Sequence, residues 1–483
     1  MALILLLVIP LVAAATSLAV RRKIFVLEAI AAVAAPLEFA VAAMIITDVV
    51  RNGSSDYGTY LAVDSLGAVV LITVTLVGLA AIFYSVGYLR EEVRKQIIGF
   101  SRVKQYFILL HLFLAAMFFA ILTLSPIGMW IAIEATTLST AFLISFYSKP
   151  SSMEAAWKYL IINSIGLLLG FFGMLLFLTS TSESGVSKFI NWTALTQNAG
   201  DMNPLLAKIA FIFVLIGYGT KVGLAPMHTW LPDAHSKAPS PISALLSGAL
   251  LNVAMLAILK FRIVADAGGA ATFSSSLMIY FGVLSIGISA FIIIVQKNYK
   301  RLFAYSSIEH MGIAALGFGF GGLGTFAALL HMIYHSLAKS ILFFSAGNIF
   351  LKYSSTKIRN VKGMLSALPA TSVILLIGFL AITGMPPFGI FLTEFYILSA
   401  GMGEHLPVVI AVLLLLVLVF AGFLKHIAGM TFGRESEPLP AGESNYLTVV
   451  PPVVLLSLFV AAGLYLPASL KSLITAAAAL ING

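Results

Sequence analysis

The sequence predicts an all-α polytopic membrane protein of about 14 transmembrane helices. Hydrophobic residues make up 60% of its 483 residues and charged residues only 10%, against about 25% charge in a soluble domain. Apolar runs of about 20 residues recur along the whole length, each enough to cross roughly 30 Å of hydrocarbon. These runs are too long and too uniformly apolar for barrel strands, and only helices and closed barrels satisfy backbone polar groups in lipid.

The expected spans are 2–20, 25–47, 60–88, 105–124, 126–147, 155–180, 205–225, 238–260, 275–296, 302–320, 325–350, 370–398, 406–432 and 446–466, numbered 1 to 14 below. They form one membrane domain over 1–483. Span 1 resembles a signal peptide, but no basic residue precedes it and Arg21, Arg22 and Lys23 follow it. That is the reverse of secretory charge order, so it is read as a retained helix. Loops after odd-numbered spans hold most of the lysines and arginines, among them Arg90, Arg94, Lys95, Lys297, Lys300, Arg301, Lys352, Lys357, Arg359 and Lys362. By the positive-inside rule both termini lie outside the cytoplasm of a prokaryotic-type cell membrane. The net charge of +9 is explained the same way. No basic stripe or aromatic motif points to nucleic acid.

Two segments between spans are more than connectors. Residues 181–203 are polar and are expected to form a surface loop or a short interfacial helix. Residues 226–241 hold Pro226, Pro232, Pro239 and Pro241 with His228 and His235, which suggests a rigid segment at a pathway mouth, with a simple turn as the plainer alternative. Spans 7 and 12 look interrupted. Gly217, Gly219, Gly223 and Pro226 surround Lys221, and Gly384, Pro386, Pro387 and Gly389 precede Glu394. Paired breaks of this kind point to inverted repeats and a midplane ion site. The expected division is 1–100 (spans 1–3), 101–262 (repeat one), 263–433 (repeat two) and 434–483 (span 14 and tail).

A charged side chain at the bilayer centre costs at least about 2.5–3.5 kcal/mol, so such residues usually mark a pathway. Glu134 in span 5 is read as a partner for Lys221, or as a structural hydrogen-bonding group. Lys221 sits where freed carbonyls could hold its ammonium, with snorkelling as the alternative. His331, His335 and Lys339 follow an i, i+4, i+8 spacing in span 11. They share one helix face over a rise of about 12 Å and read as a proton ladder. A histidine pair at i, i+4 can also bind metal, but no third ligand is evident in sequence. Glu309 and His310 are adjacent and are expected to point to different faces. Glu394 is expected to close the pathway. His111 stands alone and is read equally as a packed histidine. The absence of cysteine excludes disulfides, Cys-ligated iron–sulfur clusters and thiol catalysis in this chain. No bound cofactor or metal is expected, and no catalytic centre.

The stretches GTKVGLAPMHTWLPDAHSKAPSPISALLSG, RLFAYSSIEHMG, HSLAKSILFF and PPFGIFLTEF resemble the antiporter-like subunits of respiratory complex I, Mrp cation antiporters and membrane-bound hydrogenases. The resemblance runs from about Asp64 to span 13. MWIAIEATTLSTAF, GALLNVAMLAILKF and YSSIEHMG most resemble hydrogenase-4 component F. It implies 14 helices with two inverted five-helix repeats, spans 4–8 and 9–13, and a midplane chain of charged residues and water. Glu134 matches the family's span 5 glutamate and Lys221 its broken-helix lysine. Lys339 and Glu394 match groups found in some members. The long lateral helix of the largest members is not expected. One departure is Asn252, where many members carry lysine in span 8, while Lys260 lies two turns further on. Glu309, His310 or water held by Asn252 would have to bridge that gap.

The resemblance implies an H⁺- or Na⁺-translocating subunit of a redox-driven complex, with other membrane subunits and a peripheral hydrogenase-like module as partners. The residues expected to line its path are Glu134, Lys221, His228, Asn252, Lys260, Glu309, His310, His331, His335, Lys339 and Glu394. A stand-alone or Mrp-type cation/H⁺ antiporter and a non-conducting scaffold are the alternatives.

Overall fold

The computed structural model describes residues 1–179, 191–434 and 439–483. Among these, eleven helices are long and apolar enough to cross a bilayer. The first six are α1 (Ala2–Ala19), α2 (Ile24–Asn52), α3 (Ser65–Arg94), α4 (Phe100–Leu122), α5 (Pro126–Ile144) and α6 (Pro150–Thr179). After a short α7 (Trp192–Gln197) comes α8 (Pro204–Val222). Polar residues set several of these starts by taking up free N–H groups of the first turn. Asp64 accepts from Gly67 N at 2.7 Å at the head of α3, and Asn203 accepts from Leu205 N at 2.9 Å at the head of α8.

The polar 181–203 segment is expected to be a loop or short helix. Residues 181–190 lie outside the described residues, and α7 with one 3₁₀ turn accounts for part of the remainder. The proline-rich 226–241 segment is mostly helical and mostly buried, with Pro226 and Thr229 exposed, not a simple turn. A 3₁₀ turn, Met227–Thr229, leads into α9 (Trp230–Lys237). Next, α10 (Ser240–Leu245) runs through a π turn, Leu246–Leu250, into α11 (Leu251–Ala265), and α12 is Ala271–Ile294. The stretch Ser240–Ile294 is 55 residues long, and Gly269 breaks it at φ 81°. It therefore holds both expected spans 8 and 9.

Span 10 corresponds to α13 (Tyr299–Phe320), which carries Lys300, Arg301 and Glu309. Span 11 is α14 (Leu323–Tyr353). After a single turn, α15 (Met364–Ala367), span 12 divides into α16 (Pro369–Ile382) and α17 (Gly389–Gly401), each too short to cross alone. The chain ends with α18 (Leu406–Thr431), α19 (Val450–Leu464) and α20 (Ala468–Asn482). Length and apolarity alone thus establish eleven spans rather than 14. The other expected positions fall on the kinked, the charged and the divided helices.

Two elements depart from expectation. The expected span 3 begins at residue 60, but Leu61–Asp64 form β2, which pairs antiparallel with β1 (Ser54–Tyr57) in a hairpin. The expected tail of 434–483 contains α20, whose Leu473, Ile474, Ala477, Ala478 and Ile481 are buried. Its apolar residues recur at i+3 and i+4, so it packs one face only.

The core is organised around α14. Of its most apolar 18-residue window, 94% is buried, against 28% for α18 and 33% for α1. Neighbours α3, α10, α13, α16, α17, α19 and α20 surround it. The basic loops gather at one end of the bundle. There Lys104 Nζ donates to Leu18 O at 2.6 Å, Arg301 pairs with Asp233 at 3.2 Å, and Lys352 Nζ donates to Gly442 O at 2.9 Å. The hairpin and Gly269 lie at the opposite end, where Lys260 meets Asp64 at 2.9 Å.

Close backbone approach locks α6 to α8. A methyl group on Gly217 would lie 2.3 Å from Gly170 N and 2.4 Å from Gly170 Cα, so backbone, not a side chain, would have to move. G217A should lower stability by about 1–3 kcal/mol, as overpacking does. G287A, whose added methyl would meet only Leu415 Cδ1 at 3.9 Å, should be near neutral. Thermal melting of the two purified variants side by side checks this, and equal melting temperatures would refute it.

Candidate functional site

At the first helix break the chain turns at Gly223, φ 83°, whose N–H bonds to Gly219 O at 2.9 Å. Freed carbonyls were expected to hold the Lys221 ammonium. Instead the Trp230 indole N–H takes Thr220 O at 2.7 Å. Lys221, fully buried, donates to Thr137 Oγ1 at 2.8 Å and to Tyr159 OH at 2.7 Å. Its Nζ also lies 4.8 Å from the Tyr159 ring centre. Hydrogen bonds to a charged group are worth about 1.5–3 kcal/mol each. Two of them offset an insertion cost of about 2.5–3.5 kcal/mol, so among the described residues the ammonium is held without a direct counter-ion.

Glu134 is one step away and does not touch Lys221 directly. Its Oε2 lies 3.5 Å from Thr137 Oγ1, and its Oε1 accepts from Ser164 Oγ at 2.8 Å. Thr137 therefore bridges carboxylate and ammonium, and Tyr159 extends the network to Thr140 Oγ1 at 2.6 Å. Thr137 and Tyr159 are absent from the expected pathway. A threonine three residues after an intramembrane glutamate was the available signal, since i and i+3 share a helix face.

The middle of the molecule holds Asn252, just after the π turn in the span 8 helix. Its Nδ2 donates to Ser336 Oγ at 2.7 Å, while its Oδ1 is buried with no partner among the described residues. Ser247 and Ser307 hydroxyls meet nearby at 2.7 Å. This stretch is polar but carries no charge.

The second cluster spans α13, α14 and α17. Lys339, fully buried, donates to Ser306 Oγ at 2.6 Å and to Phe303 O at 3.0 Å. Glu309 follows Ser306 by three residues on the same face of α13. His310 Nε2 lies 3.4 Å from Glu309 Oε2, its Nδ1 lies 3.0 Å from His331 Nε2, and His331 Nδ1 lies 2.9 Å from Thr393 Oγ1. Glu309 and His310 do not diverge as adjacency suggested, because both side chains bend into one buried pocket. The ladder reading of α14 also changes. His335 is buried with neither ring nitrogen bonded among the described residues, so the bonded route zigzags through α13 instead of climbing one face.

Glu394, on α17, completes this cluster. One ligand atom each from Glu309, His310 and Glu394 lies within 4.8 Å of the others. Sequence shows no third ligand near the span 11 histidines; the structure assembles a possible ligand set from two other helices, α13 and α17, instead. Gly384 makes the approach possible, at φ 66° and with no side chain. A methyl there would lie within van der Waals overlap of Glu394 Oε2.

The other expected residues lie outside these two networks. His228 is buried beside Tyr305, with ring centres 6.2 Å apart and Nδ1 unbonded among the described residues. Lys260 is paired with Asp64 near the far end of α11, and its ammonium lies 5.7 Å from the Trp192 ring. His111 is fully buried with both nitrogens unbonded among the described residues. Several buried ionisable groups lie outside the expected pathway, Glu38 and His235 among them. Glu38 lies midway along α2, and His235 stacks on Phe343 at 4.9 Å.

Long apolar helices around two lines of buried cations, carboxylates and hydroxyls define a polytopic membrane protein with an internal ionisable network. Residues 123–420 match the family described as NADH:quinone oxidoreductase/Mrp antiporter, transmembrane, and residues 50–96 match the N-terminus of complex I chain 5. The chain belongs to this antiporter-like family. It is 38% identical over 418 residues to a hydrogenase-4 component F homologue from Methylacidiphilum infernorum, covering 85% of this chain and 86% of that one. It is 29% identical over 349 residues to hydrogenase-4 component B from Escherichia coli, covering 70% of this chain and half of that one. In fold it resembles a chain of an archaeal membrane-bound sulfane sulfur reductase, with a TM-score of 0.87, 23% identity and 99% and 97% coverage. A chain of the Mrp complex from Dietzia gives 0.86, 17% identity and 100% and 99% coverage.

The fit of Glu394 against Gly384 gives a test. G384A should push the carboxylate away from Glu309 and His310 and reduce ion transport in the reconstituted protein as strongly as E394Q does. Full transport by a folded G384A variant would show that the approach does not matter.

Proposed function

We propose that this chain is the H⁺- or Na⁺-translocating, antiporter-like subunit of a redox-driven membrane complex, related to the hydrogenase type. The observation that carries it is Lys221. It is a fully buried ammonium held by hydroxyls, each of which can accept a proton on one side and donate one on the other. Thr137 leads from it to Glu134, and Tyr159 leads to Thr140. Lys339 has the same arrangement through Ser306, leading to Glu309, His310 and His331.

A change of charge near Glu134 would alter how tightly the bridge holds the Lys221 proton. A shift in the population of protonation states is then enough for transfer, without rocking of helices. Asn252 orients, rather than supplies, the proton carriers between the two networks. On the proposed repeat division, 101–262 and 263–433, one lysine network would fall in each half. Partner subunits would include other membrane chains and a peripheral redox module. A second reading, an Mrp-type cation/H⁺ antiporter, is favoured by the Glu309–His310–Glu394 set, whose oxygen and nitrogen atoms could coordinate a cation in transit.

K221A should abolish coupled ion transport while leaving assembly intact, and pumping at the parental rate would defeat the proposal. T137V keeps shape but deletes the bridging hydroxyl. It should slow transport by about tenfold or more, the equivalent of one lost hydrogen bond to a charged group. Proteoliposome acidification measures both. The basic end of the bundle is proposed as cytoplasmic, with the termini outside. The chain has no cysteine, so single-cysteine labelling is clean. S54C should react with an impermeant maleimide in intact cells, and K357C only after lysis. The reverse pattern would invert the topology.

A further inference from the structure

At the basic end of the bundle, a cavity of about 880 Å³ opens between the α12–α13 turn, the α14–α15 loop and the end of α18. Lys297, Arg301, Lys357, Arg359, Lys362 and Lys425 line it, and no acidic residue does among the described residues. Arg301 is partly neutralised by Asp233 at 3.2 Å. Like charges held together in this way repel one another unless an anion is shared between them.

The cavity is built into the fold. His426 Nε2 donates to Ile293 O at 3.0 Å, tying α18 to the last turn of α12. Lys362 Nζ donates to Gly429 O at 3.0 Å, fixing the α14–α15 loop over α18. Arg301, one of the lining residues, has its Nε buried without a partner among the described residues. In contrast, Lys297, Arg359 and Lys425 are exposed and make no ion pair among the described residues.

The surroundings indicate what kind of anion fits. Below the cavity, α12 and α18 pack together and present exposed apolar residues along the membrane. These include Phe291 (64% exposed), Val295 (68%) and Leu424 (44%). The cations sit at the point where this apolar surface meets the basic, water-facing end. An anionic group carrying hydrocarbon chains meets both conditions. A small soluble anion would use only the cations. Basic pockets between helix ends on the cytoplasmic side bind phospholipid head groups for this reason.

We propose that this cavity binds the phosphate of an anionic phospholipid, whose acyl chains lie along α12 and α18. None of its residues belongs to the Lys221 or Lys339 networks, so the proposal stands apart from the transport reading.

The test uses the full chain in nanodiscs of phosphatidylglycerol and phosphatidylcholine with matched acyl chains. Native mass spectrometry after extraction counts the lipid that stays bound. The parent should retain phosphatidylglycerol about tenfold over phosphatidylcholine. K297Q/R359Q/K425Q should lose the preference, and K297R/K425R should keep it. Helix content and elution volume confirm that each variant is folded. Adding glycerol phosphate to the parent as competitor distinguishes the sources. Displacement only at concentrations far above the lipid's supports the phospholipid. Displacement at equal concentration would overturn it in favour of a soluble phosphate. No head-group preference in the parent, or one unchanged in the triple glutamine variant, would also overturn it. So would cross-linking of the site to an acidic protein loop in place of lipid.

Discussion

An ammonium buried in a low-dielectric bundle must find polar partners on other helices, and the arrangement of this molecule follows from that requirement. Lys221 can be buried because Thr137 on α5 and Tyr159 on α6 come within hydrogen-bonding reach. Of these, α6 can be that close to α8 because Gly170 and Gly217 let backbones touch. The break at Gly223 then turns the chain, and Trp230 caps the carbonyl exposed by the turn. Charge, packing and the broken helix are thus one problem with one solution.

The second network solves the same problem differently. Lys339 has a serine and a backbone carbonyl, and behind them stand Glu309, two histidines and Glu394. The first network is poor in titratable groups and rich in hydroxyls, while the second is the opposite. Between them lies Asn252, bonded to Ser336 but with an acceptor left open. Polar side chains fill that interval without charge, so continuity there depends on oriented dipoles.

Much of this was legible in the sequence. Twenty-residue apolar runs announce spans because lipid leaves no other way to satisfy the backbone. Gly223 and Gly384, clustered with prolines beside Lys221 and Glu394, announced both helix breaks. The neutral partners were not legible. Thr137, Tyr159, Ser306 and Thr393 carry no charge, and Tyr159 is 62 residues from Lys221, so only packing makes it a partner. Periodicity along α14 relates His331, His335 and Lys339 to one another but is blind to α13 slotting between them. The β1–β2 hairpin was hidden because its strands are four residues each, and α20 because only one face of it is apolar.

The nearly complete burial of α14 sets a limit on how the protein can respond. A rod gripped on every side behaves like an axle in a tight bearing. It cannot tilt or slide without dislodging seven neighbours at once. Signals that reach it must be carried by rotating side chains and reoriented bonds. Mechanical work done elsewhere in an assembly would arrive at this axle as a change of electric potential, not as a push.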